Sequence, residues 1–508
     1  MGLLRAIRLA AGASVVLAAH AHAADRTAAQ SAPPDSPKNC YASFLAWLDS
    51  TASDCPLSYG PFSLYGRIDT GASFQSNGAK FNPYYANGIR NIISKQSHGA
   101  KLQWSPNNLS QSNLGLALKQ PLLGDINLIG DVDFGFDPYS LQFANGPASL
   151  YDNNKIPAYY QSAHSDSSRA GGIDNAYAYL GLSSPTYGEL TVGRQNTLSS
   201  GLSSQYDPMG GSYAFSLLGF SAVAIAGAGA TETARYNTSI EYVYDFQDVL
   251  HAGAIVQLGG YKQGNGANGA DQVDVGGEYA GFSVDAVYAY AKDAVTLSAY
   301  GGDNGAFGLP AGVATYDLKA TLADLQAGIL FVKYRWQALT FYGGYGYGTL
   351  SNPSDSYSWG LSNTLGGYAV LPGGVKNDAY TINKIQQVGW LGAKYLLRPD
   401  LDFAVAYYDQ WYNNYSGDVC VANTVPVSGA PAGVKPQGLN TAANNAAGKV
   451  VNNCAGTRSM VGFLVDYRPW KRVDTYAGVT WSEVTGGAAA GYIKTSDTAV
   501  TAGVRVSF

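Results

Sequence analysis

The chain has 508 residues, a formal net charge of −5 and only 13% charged residues, with 38 Tyr, 62 Gly and 3 Met. That charged fraction is about half the ~25% of an ordinary globular domain, and the acidic balance offers nothing to nucleic acid. No apolar run approaches the ~18 residues of a membrane-crossing helix.

Residues 1–23 read as a secretory signal. Arg5 and Arg8 supply a basic start, Leu9 to Ala19 a short apolar core, and Ala21-His22-Ala23 a small-x-small cleavage site. Cleavage after Ala23 leaves a charge of −7, since two arginines depart. Residues 24–61 are expected to form a separate N-terminal periplasmic segment. Asp25 to Pro37 is a flexible Ala/Ser/Pro-rich tail. Between Cys40 and Cys55, Tyr41, Phe44, Leu45 and Leu48 recur at i, i+3, i+4 and i+7. That spacing predicts a short amphipathic helix whose apolar side covers an opening or part of the wall of the downstream fold.

From Phe62 the pattern is period two. Phe62, Leu64, Gly66, Ile68, Ala72 and Phe74 take one face and Ser63, Tyr65, Arg67, Asp69 and Ser73 the other, as a strand between apolar surroundings and water requires. The rhythm predicts strands over 62–74, 112–120, 125–137, 174–184, 187–194, 233–246, 250–260, 271–280, 281–293, 322–335, 337–350, 385–397, 400–412, 457–468, 472–484 and 495–508. Short turns such as Pro121 to Gly124, Ser184 to Thr186 and Arg398 to Asp400 alternate with long connections near 75–111, 138–173, 195–232, 294–321, 351–384 and 413–456. Composition alone leaves a secreted β-sandwich or β-helix open. The alternation of short and long connections favours an all-β, antiparallel up-and-down transmembrane barrel of about sixteen strands over 62–508.

One long connection differs from the rest. Gln195 to Thr231 carries a single charge, Asp207, and is rich in Ala, Gly, Leu and Phe. So apolar a connection is expected to be buried, and a barrel's lumen is where it would be buried, narrowing a channel. Gly344 to Gly348 lies in an aromatic strand without a Gly-Lys-Ser/Thr sequence, so it reads as close strand packing rather than a phosphate loop.

The last strand ends Val504-Arg-Val-Ser-Phe508. With the signal sequence, this aromatic end resembles the general diffusion porins of Gram-negative outer membranes, trimeric sixteen-stranded barrels. The similarity is carried by Ser63 to Asp69, Ser112 to Gly115, Tyr179 to Leu182, Gly188 to Gln195 and Phe508, and covers almost all of the mature chain. A subgroup with a cysteine pair before the first strand is most similar, through Asp137 to Leu141, Asp166 to Arg169 and Tyr206 to Phe215. The resemblance implies a third long loop, 195–232, folded into the pore. It implies a homotrimer in outer-membrane lipid, passing ions and small hydrophilic solutes without a cofactor. This loop has fewer acidic residues than the family's better-known members.

Four cysteines allow three pairings. In a barrel, Cys40 and Cys55 precede the first strand while Cys420 and Cys454 share an outer loop, which favours Cys40–Cys55 and Cys420–Cys454. Beyond the signal, His98, His164 and His251 stand far apart in sequence and suggest neither a zinc site nor a catalytic triad. An enzyme is therefore not expected. A substrate-specific channel and a barrel adhesin or receptor are the alternatives. Lipid-facing charges cost ~2–4 kcal/mol at the bilayer midplane, so Arg67, Asp69, Lys119, Asp131, Asp133, Arg235 and Glu241 should point inward, as their parity allows. Arg194 falls on the outward parity of Leu190 and Val192 and needs a bulge to turn in. The expected constriction comprises Arg67, Asp69, Lys119, Arg194, Tyr206, Asp207 and Arg235, with Phe215, Leu217, Leu218 and Phe220 lining or anchoring the loop. One loop carboxylate against three arginines predicts a mild preference for anions.

Overall fold

Side-chain alternation is the rule that builds this molecule, and it runs opposite to that of a soluble sheet. In the strand Phe282–Lys292, Ser283, Asp285, Val287 and Ala289 are buried while Phe282, Val284 and Tyr288 are exposed. The polar face turns inward and the apolar face outward, as hydrocarbon outside and a hydrated interior demand. The computed structural model describes residues 40–79, 91–94, 97, 99–141, 176–218, 235–246, 249–258, 269–292, 324–352, 354, 368–371, 374–377, 382–415, 455–489 and 492–508.

The elements in order are α1 (Phe44–Leu48), β1 (Leu57–Tyr59), β2 (Phe62–Gln75), β3 (Lys101–Pro106), β4 (Ser112–Leu123), β5 (Ile126–Phe136), β6 (Ala176–Ser184) and β7 (Gly188–Asn196). Then come α2 (Leu198–Gln205), β8 (Arg235–Phe246), β9 (Leu250–Gln257), β10 (Gly269–Tyr279), β11 (Phe282–Lys292), β12 (Asp324–Trp336) and β13 (Leu339–Ser351). The chain finishes with β14 (Tyr368–Leu371), β15 (Gly374–Asn377), β16 (Lys384–Arg398), β17 (Leu401–Tyr412), β18 (Gly456–Trp470), β19 (Val473–Gly486) and β20 (Ser496–Ser507). Neighbours in sequence pair antiparallel around the wall, and β2 pairs β20 to close it. β3 and β4 are two halves of one wall strand, both paired to β2, so the closed barrel has sixteen strands, as the alternation predicts.

Five elements have no counterpart in the sequence pattern: β1, β3, β14 and β15 of a separate hairpin, and α2. Lys101–Pro106 merges into a long connection in the sequence because residues 107–111 interrupt the alternation. That interruption is held by Asp69, whose Oδ2 accepts from Leu109 N at 2.7 Å and Ser110 N at 2.9 Å. Asn107, at φ 56°, turns the chain out of the strand, and Asn108 and Leu109 are buried toward the interior.

At the short-turn end, the N-terminal segment is fastened to the wall. Cys40 and Cys55 form the expected disulfide, while Cys420 and Cys454 lie outside the described residues. β1 pairs Phe62 to Leu64 on the same edge of β2 that β20 occupies from Arg67 onward. The helix is present, but of its expected apolar side only Leu48 is buried, while Tyr41, Phe44 and Leu45 are exposed. The reason is Arg472, in the turn between β18 and β19. Its guanidinium donates to the carbonyls of Trp47 (3.0 Å), Thr51 (2.9 Å) and Cys55 (2.7 Å) and lies 4.5 Å from the Trp47 ring centroid. Satisfying one cation with backbone carbonyls fixes which side of α1 meets the barrel.

Candidate functional site

Residues 197–218 leave β7 and pack along the buried, polar-bearing face of the wall. The first helical turn is placed by Leu198, which enters a cluster with Tyr236, Ile255, Ala270, Ala291 and Leu325. Ser199 N donates to Gln272 Oε1 at 2.9 Å, giving one of the open N–H groups at the start of α2 a partner. Leu202 and Ser203 are buried, whereas Ser204 is exposed.

After α2 the segment meets a series of aromatic side chains on successive strands. Tyr206 lies against Phe331 of β12 at 5.5 Å between centroids, and its carbonyl accepts from Trp390 Nε1 of β16 at 2.9 Å. Its hydroxyl donates to Asp285 of β11. Tyr408 of β17 donates to Asp207. Phe215 stands edge-on to Tyr476 of β19, with centroids 6.2 Å apart. Ala214 N then donates to Asn108 O at 2.9 Å, and Asn108 Nδ2 donates to the Tyr476 hydroxyl at 3.0 Å, so the segment reaches the 107–111 insertion beside β2.

The wall makes room for this chain with glycines. A Cβ at Gly392 would stand 2.6 Å from Pro208 Cγ, at Gly462 2.7 Å from the Phe215 carbonyl oxygen, and at Gly478 2.5 Å from the Phe215 ring. Gly344 performs the same service within the wall, where a Cβ would stand 2.2 Å from the Trp390 indole. Its role is close packing, as the sequence suggests.

The residues read from the sequence fall into three sorts. Tyr206, Phe215, Leu217 and Leu218 are buried anchors; Phe220 lies outside the described residues. Asp69 and Asp207 are also buried, and hydrogen bonds occupy their carboxylates. Asp69 accepts from Tyr476 at 2.5 Å besides the two backbone N–H groups named above. Asp207 accepts from Met209 N at 3.1 Å, Gly211 N at 2.8 Å and the Tyr408 hydroxyl. Burial pushes the Asp207 carboxyl above its ordinary range despite those bonds. Both acids hold backbone in place; neither is an open charge.

Arg67 and Lys119 are half-buried on the inward parity. Arg235 is not: the bulge at Asn237 and Thr238 shifts the register, so that Tyr236 faces inward and Arg235, paired with Asn196, takes the outward parity against expectation. Lys119 stands two residues before Pro121 and its N–H donates to Pro61 O, which places it at the short-turn rim, away from Asp207. The bulge that Arg194 needs is present: Asn237 and Thr238 of β8 together oppose it, with Thr238 at φ 49°. Arg194 itself still pairs with outward-facing Ala178, and its Nη1 donates to Asn237 Oδ1 at 2.6 Å. The wall anchors Trp390, Tyr408 and Tyr476 do not stand out in the sequence, nor does the grouping of His251, Asp274 and Asp285 on β9, β10 and β11. Aromatic residues on inward parity are the available signal for the first three. Nothing in linear spacing announces the second group.

Residues 10–370 match the family model for Gram-negative porins. Among solved structures, an anion-selective porin from Comamonas acidovorans superposes with a TM-score of 0.51 at 14% identity, covering 88% of this chain and 99% of that one. Outer-membrane expressed OmpT of Vibrio cholerae gives 0.49 at 12% identity, covering 89% and 100%. OmpF of Salmonella typhi in complex with daunomycin gives 0.46 at 12% identity, covering 88% and 97%. No curated protein sequence matches the chain.

Proposed function

The chain belongs to the Gram-negative porin family and is an outer-membrane diffusion channel; from that premise we propose that residues 198–218 lie in its lumen and form its constriction. The observation that carries this reading is the continuous seating of that segment on inward-facing residues of β9–β12 and β16–β19, through Leu198, Tyr206, Asp207 and Phe215. Solutes then pass between the segment and the wall of β2 to β8. Family and fold favour a channel over an enzyme.

We further propose a mild preference for anions. Several inward carboxylates are occupied: Asp69 and Asp207 as described, Asp131 by Tyr65, Asp402 and Asp466 by Arg468, and Asp474 by Arg505. Among the described residues, Arg67 and Lys394 have no carboxylate within ion-pair distance. Asp245 and Glu278, acids without such partners, stand beside the short turns. At ~3.3 Å per residue, Arg67 and Lys394 lie roughly 13–16 Å along the strand from their own turns. That exceeds the ~10 Å screening length at 0.1 M salt, so the deeper cations weigh more on passing ions.

Reversal potential across a KCl gradient tests the sign. Anion selectivity that weakens in Arg67→Ala and Lys394→Ala is the expected result; cation selectivity of the wild type at moderate salt would refute it. Current that saturates and is blocked by one solute would indicate a substrate-specific channel, and electrical silence an adhesin.

The mature protein is proposed to begin after Ala23, with 24–61 periplasmic and Cys420 bonded to Cys454. It is also proposed to assemble as a homotrimer; OmpT of Vibrio cholerae, folded in vitro, has been solved in a trimer form. A closed ring of like subunits follows the usual symmetry of oligomers. Mass measurement in mild detergent should give three chains; a monomer alone would overturn the assembly.

A further inference from the structure

His251, Asp274 and Asp285 are remote in sequence and adjacent in the sheet. His251 on β9 pairs with Gly276 on β10, and Gly276 pairs with Asp285 on β11. Asp274 is two residues from Gly276, hence on the same face. Gly276 is what lets the outer pair meet. A Cβ there would stand 2.0 Å from Asp285 Oδ1 and 2.6 Å from His251 Nε2. Without it, the imidazole crosses β10 and contacts Asp285, and Asp274 Oδ2 lies 3.5 Å from the same nitrogen. One donor atom from each residue falls within 4.8 Å of the others.

The two carboxylates are 3% and 1% exposed, and Asp274 Oδ1 has no hydrogen-bond partner among the described residues. A buried carboxylate with a bare oxygen is costly unless a cation faces it. The Tyr206 hydroxyl, on Asp285 Oδ2, brings a fourth donor beside these three.

We propose that His251, Asp274 and Asp285 bind one divalent ion of the zinc class, with the Tyr206 hydroxyl or a water completing four-coordination. Zinc bonds of ~2.0–2.2 Å put tetrahedral ligands about 3.3 Å apart, so the widest pair closes by roughly 1.5 Å at most while the direct contact of His251 with Asp285 opens to admit the ion. An imidazole with two carboxylates suits zinc, nickel or copper; calcium needs six to eight oxygens and magnesium near-octahedral oxygen coordination. Because Asp285 also receives Tyr206, the ion ties the base of segment 198–218 to three strands at once. A proton on His251 is the competing counter-charge, and Lys333, 4.9 Å from the Tyr206 ring centroid, is a further cation nearby.

The test uses the full barrel refolded in detergent, stripped with chelator, and titrated with Zn²⁺ by calorimetry and with Co²⁺ by visible absorption. One ion per chain is expected, with a low-coordinate Co²⁺ spectrum and no comparable uptake of Ca²⁺ or Mg²⁺. Asp274→Asn, which keeps volume, and His251→Gln should each weaken binding at least tenfold. Gly276→Ala should abolish it with all ligands retained, and His98→Gln with His164→Gln should leave it unchanged. No uptake by the wild type, equal uptake of Ca²⁺, or equal affinity in Asp274→Asn and His251→Gln would overturn the site. If Gly276→Ala fails to fold, the two ligand variants alone decide.

Discussion

Removing the Phe215 ring should loosen segment 198–218 without loosening the barrel. Phe215 is 1% exposed, meets Tyr476 edge-on and fills the slot over Gly478. Phe→Ala at such a site costs ~3–5 kcal/mol, and each ~1.4 kcal/mol is tenfold in an equilibrium. Local undocking of Phe215→Ala should therefore become roughly a hundred- to a few-thousand-fold more frequent. The readout is amide exchange at Ala214 and Ser216, whose N–H groups donate to Asn108 O at 2.9 Å and Ser212 O at 3.1 Å. Their protection should fall by that factor, and open-channel current noise should rise with it. The wall ladder does not pass through Phe215, so the temperature at which the barrel opens on a gel should barely move. Gly462→Ala probes the same seat from the wall. Its Cβ would stand 2.7 Å from the Phe215 carbonyl oxygen, well inside the ~3.5 Å of ordinary contact, and should raise noise in the same direction. Unchanged exchange at Ala214 in Phe215→Ala, or a barrel that melts in step with the loop, would refute the reasoning.

Asp207→Asn should leave the reversal potential where it is in the wild type, because that carboxylate is spent on Tyr408 and two backbone N–H groups. A clear shift would show it open to the pore. Replacing Cys40 and Cys55 by Ser removes a cross-link separated by 15 residues, worth about 3 kcal/mol in the chain-entropy model. Proteolysis of the segment should quicken while conductance holds; Arg472→Ala should do the same with the disulfide intact. Hydrogen bonds from Thr186 and Ser184 hold the Asp125 carboxyl below its ordinary range, linking two short turns. A depressed acid stabilises above its unfolded value of ~3.9 and loses that effect as pH falls through the lowered one. Exchange at Thr186 N should accelerate only in that acid window, and Asp125→Asn should abolish the pH dependence.

The wall is legible because each wall residue answers to one of two environments, and period two records which. That record is why Asp131, Asp133 and Glu241 can be turned inward from parity alone. Parity gives a face and no partner, so Asp69 and Asp207 read as pore charges although backbone N–H groups hold both. The burial of 205–218 is visible in its composition; its seat is not, since Gly392, Gly462 and Gly478 look like any other glycines until the segment lies on them. The spacing in α1 marks a helix, but which side it buries is decided by Arg472, more than 400 residues away. His251 meets Asp285 only through the pairing of three strands.

The central claim, that segment 198–218 narrows the pore, is tested most directly at Ser204. This residue is exposed on α2, where its hydroxyl donates only to Gly201 O at 3.0 Å among the described residues. In Ser204→Cys, a bulky charged methanethiosulfonate reagent added to a single channel should lower conductance in discrete steps, one for each modified pore. The same reagent should leave the wild-type channel unaffected. Complete modification of Ser204→Cys with no change in current would contradict the account.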